Sequence, residues 1–239
     1  MSLPVWAQPF PGGVADADLQ HALWRSASGQ VVALRLADGQ VQWRSAEPLW
    51  PLLVGHGLAL GLAASPSRVV ALVLQGEGAG SERWRSDALP WPDDAAVPPG
   101  NAASALHAAW LDGHILLRWQ LRPLYRGGAA PSASRARPAG SAGSCLLDAA
   151  TGALLSAPAD VDDPAVQAPL QLPSDDPAVL AQTLLGGVTY RLQRQPLAGD
   201  KVQTALIARD AERGLPLWSS TLEEARYDKP GKGPPALRS

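Results

Sequence analysis

An all-β fold of four repeated antiparallel units is what the sequence predicts, on two observations. A phrase made of a strand, a glycine turn and a Trp four residues past the glycine recurs along the chain. Two further strand-like runs precede it in the second, third and fourth occurrences. Four-stranded units repeating every 40 to 60 residues or so are the mark of β-propeller blades, which bury both sheet faces only when neighbours stack on them.

The phrase is clearest from Gln30 to Trp43. Val32, Leu34 and Leu36 fall on one face of an extended chain and Val31, Ala33 and Arg35 on the other, the period of two of a strand. Asp38-Gly39 then supplies a turn, since Gly accepts positive φ and Asp bonds its own backbone, and Trp43 closes the copy. The second copy begins with Val69-Val70-Ala71-Leu72, identical to Val31-Val32-Ala33-Leu34, and ends with Gly80 and Trp84. The third is Cys145 to Gly152, and the fourth runs from Ala205 to Gly214 and closes at Trp218. Gly-x-x-x-Trp thus stands at 39/43, 80/84 and 214/218, whereas the third copy has Ser156 where the Trp belongs.

The preceding runs are Pro51 to Val54 and Leu58 to Ala63, Ala105 to Trp110 and Ile115 to Leu121, and Val179 to Leu185 and Val188 to Gln195. They are joined at Gly55-His56-Gly57, Asp112-Gly113 and Gly186-Gly187. Blades are expected at about 19-46, 50-91, 104-157 and 178-222, between an irregular lead-in over 1-18 and a flexible basic tail over 226-239. The first unit is short and is expected to borrow a strand, from Val5 to Phe10 or from the C-terminal end. Four such blades either close a small ring or make part of a larger one.

Leu147-Asp148-Ala149-Ala150-Thr151-Gly152, with the glycines and Trp residues of the other copies, resembles the quinoprotein-type (PQQ-like) propeller repeat over about Leu19 to Thr221. The resemblance implies that each Trp docks against the neighbouring blade, and that the chain is a non-enzymatic member. The dehydrogenases of that family are longer and hold quinone and calcium with an acid, an amide and adjacent Cys residues. One Cys and four blades do not supply that set, so no catalytic, cofactor-binding or metal residue carries over. Family members are often exported, whereas the Met1 to Pro11 stretch lacks the charge and apolar run of a leader, so the expected location is cytoplasmic.

Composition agrees with a globular β protein: 46% of residues are hydrophobic, and nine Trp stand against one Phe. Trp24, Trp43, Trp84, Trp110, Trp119 and Trp218 fall in or beside the strand-like runs and are expected to pack between sheets. A net charge of −2 gives no case for nucleic acid or an anionic membrane as partner. Cys145 has no disulfide partner and is expected to be a buried, inert thiol. His21, His56, His107 and His114 show no zinc spacing, and Gly140 to Gly143 lacks the spacing of a nucleophile elbow.

Two inserts interrupt the third unit. Arg126 to Gly143 carries three Arg and no acid, and Ala159 to Pro177 carries five Asp and no base. Arg126, Arg135, Arg137, Asp160, Asp162 and Asp163 are therefore the candidate partner contacts of a protein-protein interaction scaffold, an accessory subunit of a larger complex or one that associates with itself. The rival reading is an oxidoreductase that binds a dinucleotide or quinone. Pro51 to Gly61 followed by Val69 to Leu74, with Glu77 placed 22 residues after Gly55, imitates a strand, glycine turn, helix and ribose-binding acid. Pro66 would sit inside that helix at a cost of about 3 kcal/mol.

Overall fold

Period-two patterning and turn glycines become antiparallel meanders throughout a computed structural model that describes residues 3–64, 67–90, 105–120, 142–155, 176–198 and 201–226. Among the described residues there is no helix, and the strands form four sheets of four or five strands. These sheets are the blades.

After a first strand, β1 (Val5–Trp6), blade 1 runs β2 (Gln8–Phe10), β3 (Gly13–Ala15), β4 (His21–Arg25), β5 (Gln30–Arg35) and β6 (Val41–Pro48). Blade 2 runs β7 (Trp50–Gly55), β8 (Leu58–Ala64), β9 (Ser67–Val73) and β10 (Glu82–Arg85). Blade 3 holds β11 (Ala105–Leu111), β12 (His114–Gln120), β13 (Ala142–Asp148) and β14 (Leu154–Leu155). Blade 4 holds β15 (Val179–Leu185), β16 (Val188–Leu197), β17 (Lys201–Asp210) and β18 (Pro216–Arg226). Within each blade, sequential strands pair antiparallel.

The lead-in expected to be irregular instead forms three short strands. β2 and β3 complete blade 1, which therefore starts at Gln8. β1 crosses to the β11 edge of blade 3, pairing Val5 with Trp110 and Trp6 with Ala109. The strand that blade 1 borrows thus comes from the N-terminal end, and the same segment straps blade 3. At the other end of the chain, β18 continues to Arg226, four residues beyond the expected edge of blade 4.

Turn chemistry explains why each phrase folds alike. In blade 3 the Asp148 Oδ1 accepts hydrogen bonds from the Thr151 hydroxyl at 2.8 Å and the backbone N–H groups of Ala150 and Thr151 at 3.0 and 2.8 Å. These donors, the Thr151 hydroxyl foremost, hold the Asp148 carboxyl below its ordinary pKa. Asp210 plays the same part in blade 4, accepting from the Glu212 and Arg213 N–H groups.

Three buried clusters hold the blades together. One joins blade 4 to blade 1 through Trp24, Val32 and Leu34 against Tyr190, Leu192 and Leu206. A second joins blade 1 to blade 2 through Leu23, Val31 and Trp43 against Val54, Val70 and Leu72. The third joins blade 2 to blade 3 through Leu60, Leu62 and Trp84 against Ile115, Leu117 and Leu147. The stacking order is therefore 4, 1, 2, 3, and among the described residues no apolar cluster joins blade 3 to blade 4.

Cys145 lies in the last of these clusters, and burial pushes its thiol up to about 11. The expected outcome with a thiol reagent at pH 8 is no reaction in the folded chain and one equivalent per chain after unfolding, read by absorbance.

Candidate functional site

Each stacking seam is built on one device. Trp43 of blade 1 donates its indole N–H to the Leu74 carbonyl of blade 2 at 2.8 Å. Trp84 of blade 2 donates to Ala149 of blade 3 at 3.0 Å, and Trp218 of blade 4 donates to Leu36 of blade 1 at 2.9 Å. The ring of each Trp lies over the turn glycine of the next blade. A Cβ at Gly39 would stand 2.4 Å from Trp218, one at Gly152 would stand 2.4 Å from Trp84, and one at Gly80 would stand 3.2 Å from Trp43. Glycine is required there twice over, for its positive φ and for this approach.

Among the described residues, nothing fills the fourth copy of the receptor. Gly214 has φ +66 and a 2.9 Å N–H bond to the Asp210 carbonyl, as Gly39 bonds Arg35 and Gly152 bonds Asp148 at 2.8 Å. Ala211 N–H bonds Gly187, just as Leu36 bonds Gln20 and Ala149 bonds Gly113, so the Ala211 carbonyl stands where the other seams place their indole acceptor. A Cβ at Gly214 would meet no described residue within 4 Å. Ala211 and Gly214 are exposed, whereas Leu36, Leu74, Gly39 and Gly152 are buried. The blade whose Trp would come next is blade 3, the one with Ser156.

No protein-family model matches the chain, and no curated protein sequence matches it. Among solved structures it is similar to BamB from Moraxella catarrhalis, with 15% identity and a TM-score of 0.34 over 87% of this chain and 62% of that one. It is also similar to the quinohemoprotein alcohol dehydrogenase ADHIIG from Pseudomonas putida, with 11% identity and a TM-score of 0.35 over 90% of this chain and 35% of that one. The chain therefore spans less than two thirds of either protein. Its assignment as a set of blades rests on its own sheets and seams.

The face that blade 4 turns away from blade 1 differs in chemistry from its counterparts. The cross-strand pairs Ala22 and Leu34 in blade 1, Ala59 and Leu72 in blade 2, and Ile115 and Leu147 in blade 3 correspond to Thr189 and Arg209 in blade 4. The pairs Trp24 and Val32, Gly61 and Val70, and Leu117 and Cys145 correspond to Arg191 and Ile207. Two guanidinium groups and a hydroxyl thus replace apolar side chains that form the other seams. Leu184, paired with Thr189, is 41% exposed, and Leu215, next to Gly214, is 57% exposed. Sequence reading missed this face; its signal was the polar interruption at Thr189, Arg191 and Arg209 when β16 and β17 are aligned with the other copies.

A concavity of about 430 Å³ opens where blades 1, 2 and 3 meet, lined among others by Asp16, His21, His56, Gln75 and Trp110. Asp16 is buried and accepts from the backbone N–H of Gln20 at 2.7 Å and of His21 at 3.1 Å. Its other oxygen lies 3.2 Å from His21 Nδ1, which makes that nitrogen the donor and leaves Nε2 to accept from the Gln75 amide at 2.7 Å. The Asp16 carboxylate and both ring nitrogens of His21 are thereby occupied, and the described lining holds no Ser, Thr or Cys. Asp16→Ala is expected to cost about 1 to 3 kcal/mol in a denaturant titration, because two backbone donors lose their acceptor.

The residues that imitate a dinucleotide site form a hairpin instead. Leu58–Ala64 is a strand paired with Trp50–Gly55, so no helix N-terminus follows Gly57. Glu77 lies in the exposed turn between β9 and β10. His56 and His114 sit at hairpin tips as expected, His56 with its ring edge on Trp110 at 4.9 Å between centroids. Among the described residues no group of three His, Cys, Asp or Glu side chains is placed to hold a metal. Arg126, Arg135, Arg137, Asp160, Asp162 and Asp163 lie outside the described residues.

Proposed function

We propose that the chain is a non-catalytic propeller scaffold, an accessory subunit that completes its blade stack on a protein partner. The observation that supports this most strongly is the fourth receptor at Ala211 to Gly214, which no described residue fills, beside exposed Leu184 and Leu215, in a stack whose other seams each hold their Trp. An uncovered sheet face that keeps the docking geometry of its neighbours is a surface suited to association. The dinucleotide reading has lost its helix, and the concavity around Asp16 and His21 holds a satisfied hydrogen-bond chain.

The test is native mass spectrometry of the chain purified gently from its own host. The expected result is the mass of the chain plus a second polypeptide. A mass of the 24.9 kDa chain alone, or of the chain with a few hundred daltons of cofactor, would end the scaffold reading.

A further inference from the structure

We infer that the outward face of blade 4 is the receptor for a blade of a second, different polypeptide, which lays a Trp on Gly214 and sets carboxylates against Arg191 and Arg209. The inference rests on the scaffold reading and specifies its partner.

The chain itself defines the occupant three times. At every filled seam an indole covers the turn glycine and donates to the carbonyl three or six residues ahead of it. The Ala211 to Gly214 turn repeats the backbone of the Leu36 to Gly39 and Ala149 to Gly152 turns, down to both N–H bonds that orient the acceptor. No donor among the described residues reaches the Ala211 carbonyl. A receptor with the same shape takes the same ligand.

Among the described residues, the repeat Trp residues of this chain do not supply that ligand, and those of a second copy are engaged alike. Trp43, Trp84 and Trp218 are all engaged in its own seams. The free end of the stack is blade 3, where Ser156 replaces the Trp, so a ring made of two copies would leave Gly214 uncovered in both. The repeat thus holds no fourth Trp for Gly214, and the indole is assigned to another sequence.

The face also says what else the partner carries. Arg209 Nη1 lies 3.5 Å from the Gly214 carbonyl, which puts a guanidinium at the rim of the receptor where it would stack on an incoming indole. Arg191 bonds Gln182 through Nε at 3.3 Å. The Asp210 carboxylate nearby is taken up by its own turn. An apolar blade of the kind that fills the other seams would leave Arg191 and Arg209 desolvated without a counter-charge, which is costly, so the matching surface bears acids.

A photo-crosslinking side chain at Leu215, in the full chain expressed in its own host, tests the inference. The expected result is one adduct with a different polypeptide, its cross-linked peptide mapping beside a Trp on a β-strand. Gly214→Ala, whose Cβ would lie where the ring docks, and Arg209→Glu are each expected to reduce that adduct about tenfold or more while circular dichroism stays unchanged. An adduct with a second copy of this chain, an adduct indifferent to both substitutions, or no adduct overturns it. Native mass separates the two failures: a partner still bound without cross-linking at Leu215 sinks only the blade 4 receptor, whereas a lone chain sinks the scaffold as well.

Discussion

Trp43→Ala is expected to cost about 3 to 5 kcal/mol of stability, on the order of 10 °C in Tm, because it opens a cavity in the middle seam of the stack. The indole is 9% exposed, packs in the cluster between blades 1 and 2, and satisfies the Leu74 carbonyl at 2.8 Å. Truncation removes the largest side chain of that seam and leaves a buried acceptor without its donor. The position matters as much as the burial. Each blade touches its neighbours in the order 4, 1, 2, 3, so stability is close to a sum of blade terms and seam terms. Weakening the middle seam loosens blades 4 and 1 from blades 2 and 3, which the Leu49 connection and the β1 strap still tie together. A denaturant titration followed by Trp fluorescence should show both the loss and a broader transition. A single sharp transition shifted by less than about 1 kcal/mol would mean that the seam does not couple the two halves.

The blades were legible because their causes are local. Alternation in Gln30 to Arg35 and Val69 to Val73, glycines at 39, 80, 152 and 214, and the Asp148 and Thr151 turn each act within a few residues, so the sequence shows them directly. The lead-in was misread because β1, β2 and β3 are only two or three residues long. Such strands exist through pairing with Ala109, Trp110 and β4, not through a pattern of their own. The candidate site was hidden for a related reason. A missing Trp at Ser156 is visible in the text of the chain, but its consequence falls on Gly214, more than fifty residues away, and depends on which blade stacks on which. Arg191 and Arg209 read as ordinary outward residues of amphipathic strands until the pairings set them level with Trp24 and Leu34.

The four turn glycines are expected to respond to alanine in a graded way that separates filled receptors from the empty one. All four have positive φ, so each substitution carries a common backbone cost of roughly 1 to 2 kcal/mol. At Gly39 and Gly152 the new methyl would stand 2.4 Å from the ring of Trp218 or Trp84, and moving the ring would break an indole bond and open a packed seam. Overpacking of that kind adds about 1 to 3 kcal/mol. Gly80→Ala should fall between, since its Cβ would meet Trp43 at 3.2 Å and a shift of a few tenths of an ångström relieves it. Gly214→Ala should show the backbone cost alone in the isolated chain, since no described residue lies within 4 Å of its Cβ. Equal losses at all four positions would show that the glycines serve only their turns and that the Trp rings do not dock on them. In the presence of the partner the order should change, with Gly214→Ala losing the stabilisation that binding confers on the unsubstituted chain, because ligand binding to the folded state alone raises its stability.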